Sequence, residues 1–325
     1  MSIAMPGVGR MEVGLSAEQT RRNVVRGGLL VGGLVVLCWS HWPTISDLWR
    51  QWQRDPNYSV GQLVPLAALY LVWQQRRALR ALRSGVCWWG AGLLLGAEAT
   101  RYFGLLFLYE SIERYALVLA TGGLLLWVGG WKLFWELRWI LAFLTLMVPL
   151  PGRIHNAIAG PLQDWATAGT VFVLELIGVT VVREGNVLSV NGHVPIGIEE
   201  ACSGLRLLTA FVVVAALFIL IVRRPRWQQT ILLLSSVPIA LACNIVRVVA
   251  TVVLYVTCGG ETAQRFVHDF AGIIMMPLAV ALLIGELWLL DRLAQSTVRQ
   301  APSFMNASRA QGVRAAQAPA STGRV

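Results

Sequence analysis

The segment Glu199-Glu200-Ala201-Cys202-Ser203-Gly204-Leu205-Arg206 places a thiol, two carboxylates and a guanidinium at the mouth of a long apolar stretch. Two later apolar stretches carry further polar groups: Asn244 with Arg247, and His268 with Asp269. Ionisable groups inside or at the edge of membrane spans are costly, which makes them candidates for function. A cysteine, an arginine and a histidine meeting at one membrane face point to thiol-based acyl transfer.

Each group suits one step. A cysteine at a helix N-terminus feels the positive end of the helix dipole, and a nearby arginine or histidine favours its thiolate further. Cys202 is the nucleophile expected to form a thioester. His268 suits proton transfer, because an unperturbed imidazole titrates near pH 6.5. Arg247 suits stabilisation of the tetrahedral oxyanion and is a poor proton donor on its own. Glu200 or Asp269 is placed to orient Arg206 or His268, and Asn244 lies one turn before Arg247 on the same helix face.

Plainer readings stand beside these. Cys202 alone reads as a packed small residue. Arg247 reads as a partner of Glu200, His268-Asp269 as an interfacial pair, and Arg206 as a partner of Glu199. Arg101 also falls in an apolar stretch, and Glu98 three residues earlier gives it a structural partner. His155 and His193 show no partner in the sequence. The remaining cysteines, Cys38, Cys87, Cys243 and Cys258, read as small buried hydrophobes. There is no CxxC and no Cys/His pair at metal spacing, so neither a metal nor an organic cofactor is expected.

These groups must be held by membrane helices. The chain is 56% hydrophobic and 14% charged, against roughly 25% charged for soluble domains. Its apolar blocks are bounded by arginines, the pattern of a polytopic membrane protein. The net charge of +10 comes from arginines in short loops, which reads as topology signals facing anionic lipid rather than as a nucleic-acid surface.

The fold class expected is all-α and polytopic, with about eight transmembrane helices. The blocks run near 27–38, 60–73, 87–108, 115–131, 139–150, 204–222, 231–256 and 270–290. With the N-terminus inside, inner segments hold 18 arginines and lysines and outer segments hold 6, as the positive-inside rule requires. Residues 151–203 then lie outside. Within them, 156–182 reads as an interfacial or re-entrant helical segment rather than a ninth crossing. Residues 184–192 read as a short hairpin turning at Gly185-Asn186 or Asn191-Gly192. Residues 1–26 read as a cytoplasmic arm, 27–291 as one transmembrane domain, and 292–325 by composition as a disordered cytoplasmic tail. This orientation brings Cys202, Arg247 and His268 to the outer side.

Three ordered motifs, Glu200-Ala201-Cys202-Ser203-Gly204, Asn244-Ile245-Val246-Arg247 and His268-Asp269-Phe270-Ala271-Gly272, resemble those of the exosortase/archaeosortase family of membrane cysteine transpeptidases. Met147-Val148-Pro149-Leu150-Pro151 and the approach from Gly178 to Glu184-Gly185-Asn186 add to the likeness, which covers about 145–290. The first 140 residues match in hydropathy alone.

The resemblance implies a bacterial inner-membrane enzyme with its site facing the periplasm. It implies as partners exported proteins with C-terminal sorting signals: a short motif such as Pro-Glu-Pro, a hydrophobic helix and a basic end. Such a signal would be cleaved through an acyl-thioester on Cys202 and transferred to an acceptor, with water, a lipid or a glycan as the choices. Arg247 is then the second essential residue, a proton donor in the family. His268 is the third, as acid/base or transition-state stabiliser, which leaves open which of the two gives the proton. The resemblance implies neither a metal nor an organic cofactor, and a setting among membrane lipids and away from nucleic acid. The rival readings are a polytopic transporter using Arg247 and His268 to bind an anion, and an assembly factor for polysaccharide export. Transporters often show paired repeats, and this chain has none.

Overall fold

The computed structural model describes residues 17–81, 85–185, 187–190, 194–197, 204–222, 224–258 and 272–299. Helix α1 (Ala17–Ser40) meets α2 (Trp42–Arg54) at a 71° bend. Pro43, in the first turn of α2, has no N–H to continue the ladder. Asp55 ends α2, and its carboxylate accepts from the Asn57 N–H at 2.9 Å, opening a 3-10 turn at Pro56–Gln62. Then follow α3 (Leu63–Ala81), α4 (Trp88–Leu106), α5 (Glu110–Leu144) and α6 (Gly152–Leu176). Strands β1 (Val181–Glu184), β2 (Val187–Val190) and β3 (Val194–Gly197) precede α7 (Gly204–Ile221), α8 (Arg226–Cys258) and α9 (Gly272–Arg299).

Element α5 is two arms. Gly130 has φ +73° and ψ 177°, outside helical geometry. Residues 122 and 141 of a straight helix would stand about 28 Å apart. Instead, a Cβ on Gly122 would lie 3.6 Å from both Leu141 and Phe134. The chain therefore turns back at Gly130, and residues 131–144 pack along 110–129. Only glycine adopts this φ without strain. This reversal falls at the end of the 115–131 block, just before Lys132.

One core joins α2, the 3-10 turn, α3, α5 and α7 through Leu48, Trp52, Val64, Leu71, Phe143 and Ala210. Trp52 Nε1 donates to the Met147 carbonyl at 3.0 Å, so the indole is both packed and satisfied. A second core packs Leu207 and Phe211 of α7 on Leu232, Ala240 and Cys243 of α8, with Leu283 of α9. A third sets Leu174 of α6 and Val181 and Leu188 of the sheet against Val248 and Val252 of α8.

Three helical stretches are long and apolar enough to cross a membrane among the described residues: Glu110–Met147, Gly204–Ile221 and Arg226–Cys258. The bent pair Val24–Ser40 and Trp42–Arg54 makes up to four. The protein is an all-α membrane protein with one small sheet. Helix α6, which overlaps the 156–182 stretch read as interfacial, is not among the candidate spans.

Several expectations are corrected. The hairpin is a three-stranded antiparallel sheet in the order β1-β2-β3. Its first turn is at Gly185, with φ +63°, pairing Glu184 with Val187. Val190 pairs with Val194 across the second connection. The Val194-Pro195-Ile196 run pairs as an edge strand, where proline's missing donor is tolerated. Helix α1 starts at Ala17, inside the segment read as an arm, and α9 extends to Arg299, into the segment read as a disordered tail. Cys243 is buried as expected, but Cys38 and Cys258 are exposed and Cys87 is half-buried.

Candidate functional site

Helices α7 and α8 pack antiparallel. Gly204 at the start of α7 lies against Asn244, while Phe218 and Val222 near its end meet Gln228 and Leu232 at the start of α8. A Cβ on Gly204 would sit 3.2 Å from Asn244 Nδ2. The absence of a side chain at Gly204 is therefore what lets α7 begin beside Asn244. From the other side α6 approaches at Gly169, where a Cβ would lie 2.6 Å from Ile245 Cδ1.

Asn244 is fully buried and Arg247 is 8% exposed. Burying an amide and a guanidinium costs several kcal/mol unless they are hydrogen-bonded. One turn apart on α8, Arg247 Nη2 donates to Asn244 Oδ1 at 2.9 Å. The carbonyl of Arg247 accepts from Thr251 Oγ1 at 2.8 Å. Arg206 is half-buried on the first turn of α7, and its carbonyl accepts from Thr209 Oγ1 at 3.0 Å. Of the nine site residues named from sequence, the structure thus brings Gly204, Asn244 and Arg247 together and places Arg206 on the same first turn. Glu200, Cys202, Ser203, His268 and Asp269 lie outside the described residues. Among the described residues no group of three or more His, Cys, Asp or Glu side chains is arranged to hold a metal.

Sequence reasoning missed a second contact near this site. His155, read as having no partner, has Nδ1 2.6 Å from the Tyr58 hydroxyl. Burial, with Asp55 adding to it, pushes the Tyr58 phenol up to about 12, so it stays neutral across physiological pH. The Asp55-Pro56-Asn57 run signals a turn here. Nothing local signals a partner 97 residues away.

A separate polar cluster ties α2 to α4 and α5. Arg114 is 4% exposed, and its Nη2 lies 2.6 Å from Asp47 Oδ2 and 2.8 Å from Glu110 Oε2. Thr44 Oγ1 donates to Glu113 Oε1. His41, at the bend, is fully buried with Nε2 3.7 Å from Glu98 Oε1. Arg101 pairs with Glu98 at 3.5 Å, as expected, and also donates to the Ser40 carbonyl at 2.9 Å.

The fold, then, is a helical membrane bundle in which a glycine-started helix abuts a buried Asn–Arg pair. A profile of the transmembrane exosortase family matches residues 52–285, and the chain belongs to that family. The match begins at Trp52, so it takes in the 3-10 turn and α3 to α5, a stretch in which the sequence resembled the family in hydropathy alone. Comparisons with curated proteins and with solved structures give no match.

Proposed function

We propose that this exosortase is a cysteine transpeptidase of the bacterial inner membrane. Its substrates are the C-terminal sorting signals of exported proteins, and its site faces the periplasm. The observation that supports this reading best is the contact of Gly204 with Asn244. It sets the helix that starts two residues after Cys202 against the Asn244–Arg247 pair. In the reaction, the Cys202 thiolate adds to the scissile carbonyl, and Arg247 stabilises the oxyanion. The C–N bond breaks and the amine leaves with a proton from His268. An acceptor hydroxyl or amine then adds to the thioester carbonyl, gives up its proton to His268 and releases the thiolate.

Aromatic contacts mark three interfacial positions. Arg76 lies over Trp73 at 4.1 Å, Arg138 over Trp135 at 4.8 Å and Arg292 over Trp288 at 4.8 Å. All three arginines belong to segments that the charge rule assigns inside, and interfacial tryptophans mark the membrane surface.

Co-expression with an exported protein carrying such a C-terminal tail tests the function. Gel mobility should show shortening by the wild type and none by Cys202→Ala or Arg247→Ala at matched expression. Undiminished processing by Cys202→Ala would rule the thioester route out.

A further inference from the structure

The 3-10 turn at 56–62 is tied to two elements far away in the chain. On one side, Tyr58, 9% exposed, hydrogen-bonds His155 of α6, and their ring centroids lie 5.8 Å apart. On the other, the Asn57 carbonyl accepts from Thr209 Oγ1 of α7 at 2.9 Å. Thr209 stands five residues past Gly204, and Gly204 packs on Asn244. A continuous line of contacts therefore runs from His155 through Tyr58, Asn57 and Thr209 to Gly204, Asn244 and Arg247.

Helix α7 needs such a line. Between Leu207 and Ile221 its only polar side chain is Thr209. Apolar contacts with neighbouring helices and lipid are nearly as good after a small slide, because dispersion and the hydrophobic effect have no direction. Sliding by one residue moves the helix about 1.5 Å. A directional hydrogen bond from Thr209 to a fixed carbonyl is what sets the register. That carbonyl belongs to a turn held by the neighbouring Tyr58–His155 clamp and by the Asn57 N–H donating to Asp55 Oδ1. A neutral phenol donates to a neutral imidazole and accepts from an imidazolium, so the clamp holds in either state of His155.

We propose that Tyr58 and His155 are positioning residues for the transfer site. They hold the 56–62 turn so that Asn57, through Thr209, fixes the axial register of the helix that follows Cys202. Neither side chain touches the reacting atoms in this account. The consequence for catalysis rests on the function proposed above, whereas the register is a property of the fold alone.

The test is a double-mutant cycle in a background where Cys38, Cys87, Cys243 and Cys258 are replaced by alanine. Two rates are read per folded molecule: maleimide labelling of Cys202 in native membranes, and processing of a tailed substrate. Tyr58→Phe and Thr209→Val should each change the labelling rate in the same direction. Each should lower kcat about tenfold at unchanged KM, the scale of a sub-ångström to ångström displacement. The double variant should be no worse than the worse single variant, because both cut one line. Thr209→Ser, which keeps the hydroxyl, should behave like the parent. Should Tyr58→Phe fail to fold, His155→Gln takes its place in the cycle.

Additive losses in the double variant, or Thr209→Ser no better than Thr209→Val, would overturn the proposal. Coupled labelling rates in a protein that processes no tail would leave the register device standing and reject the transpeptidase. Processing by the parent with additive losses would do the reverse.

Discussion

Two buried arginines are held in different ways. Arg114 bridges Asp47 of α2 and Glu110 of α5, and both carboxylates carry the charge opposite to its own. Arg247 counts Asn244 among its partners, on the helix face that meets the start of α7. The first arrangement joins two helices. The second holds a cation beside the helix that follows Cys202. A buried arginine in a membrane protein is therefore not by itself a mark of chemistry. The segment each faces separates an architectural role from the reactive one proposed for Arg247.

The largest expected effect breaks this comparison directly. Arg247→Ala should lower tail processing by about 10²- to 10³-fold per folded molecule, the range seen on removing an oxyanion donor. Arg114→Ala should leave that activity within about threefold. Its cost is instead stability, about 2 kcal/mol for hydrogen bonds to charged groups, measured by denaturation in detergent. Equal losses of activity in the two variants would erase the distinction.

Gly204 sharpens the comparison. Gly204→Val should reduce processing about tenfold or more, because a branched side chain must displace Asn244 from the start of α7. Gly204→Ala should cost less, since a single methyl at 3.2 Å demands a shift of a few tenths of an ångström. Initial rates at matched protein levels decide between them. Gly130→Ala acts on the scaffold alone. With φ at +73° and ψ at 177°, and with the new Cβ pressed against the Gly85 carbonyl, alanine there should cost about 1–3 kcal/mol for the backbone alone and more for the clash. It should lower the unfolding midpoint, without changing processing per folded molecule.

The smallest effect is a pH dependence. The Tyr58 phenol is pushed up to about 12 in the fold, against about 10 unfolded. The folded state thus keeps its proton where the unfolded state loses it. The associated stability is complete below pH 10 and declines as pH rises towards 12. Tyr58→Phe should show a shallower alkaline loss of stability than wild type, read as unfolding midpoints between pH 9 and 12. Identical slopes would contradict the assigned burial.

Much of the framework was legible because membrane helices announce themselves by apolar length. The break between 131 and 139, the pairing of Arg101 with Glu98 and the turn at Gly185 follow from local pattern. Asn244 and Arg247 were legible as a pair because one helical turn separates them. The third strand was not, since Val194–Gly197 is short and carries a proline. The Tyr58–His155 contact and the salt bridge of Arg114 with Asp47 were not, since partners 97 and 67 residues apart are brought together only by how the helices pack. The Gly204–Asn244 contact was likewise invisible: a glycine in a Cys-Ser-Gly run does not reveal which helix it faces.

The most direct measurement is on the thiol itself. Membranes co-expressing the enzyme and a tailed substrate are quenched in acid, and the peptide containing Cys202 is analysed by mass spectrometry with and without neutral hydroxylamine. The account predicts an adduct of the substrate's new C-terminal residue on Cys202 that hydroxylamine removes, accumulating when transfer is slowed and absent in Cys202→Ala. Processed substrate without such an adduct, together with undiminished processing by Cys202→Ala, would contradict it.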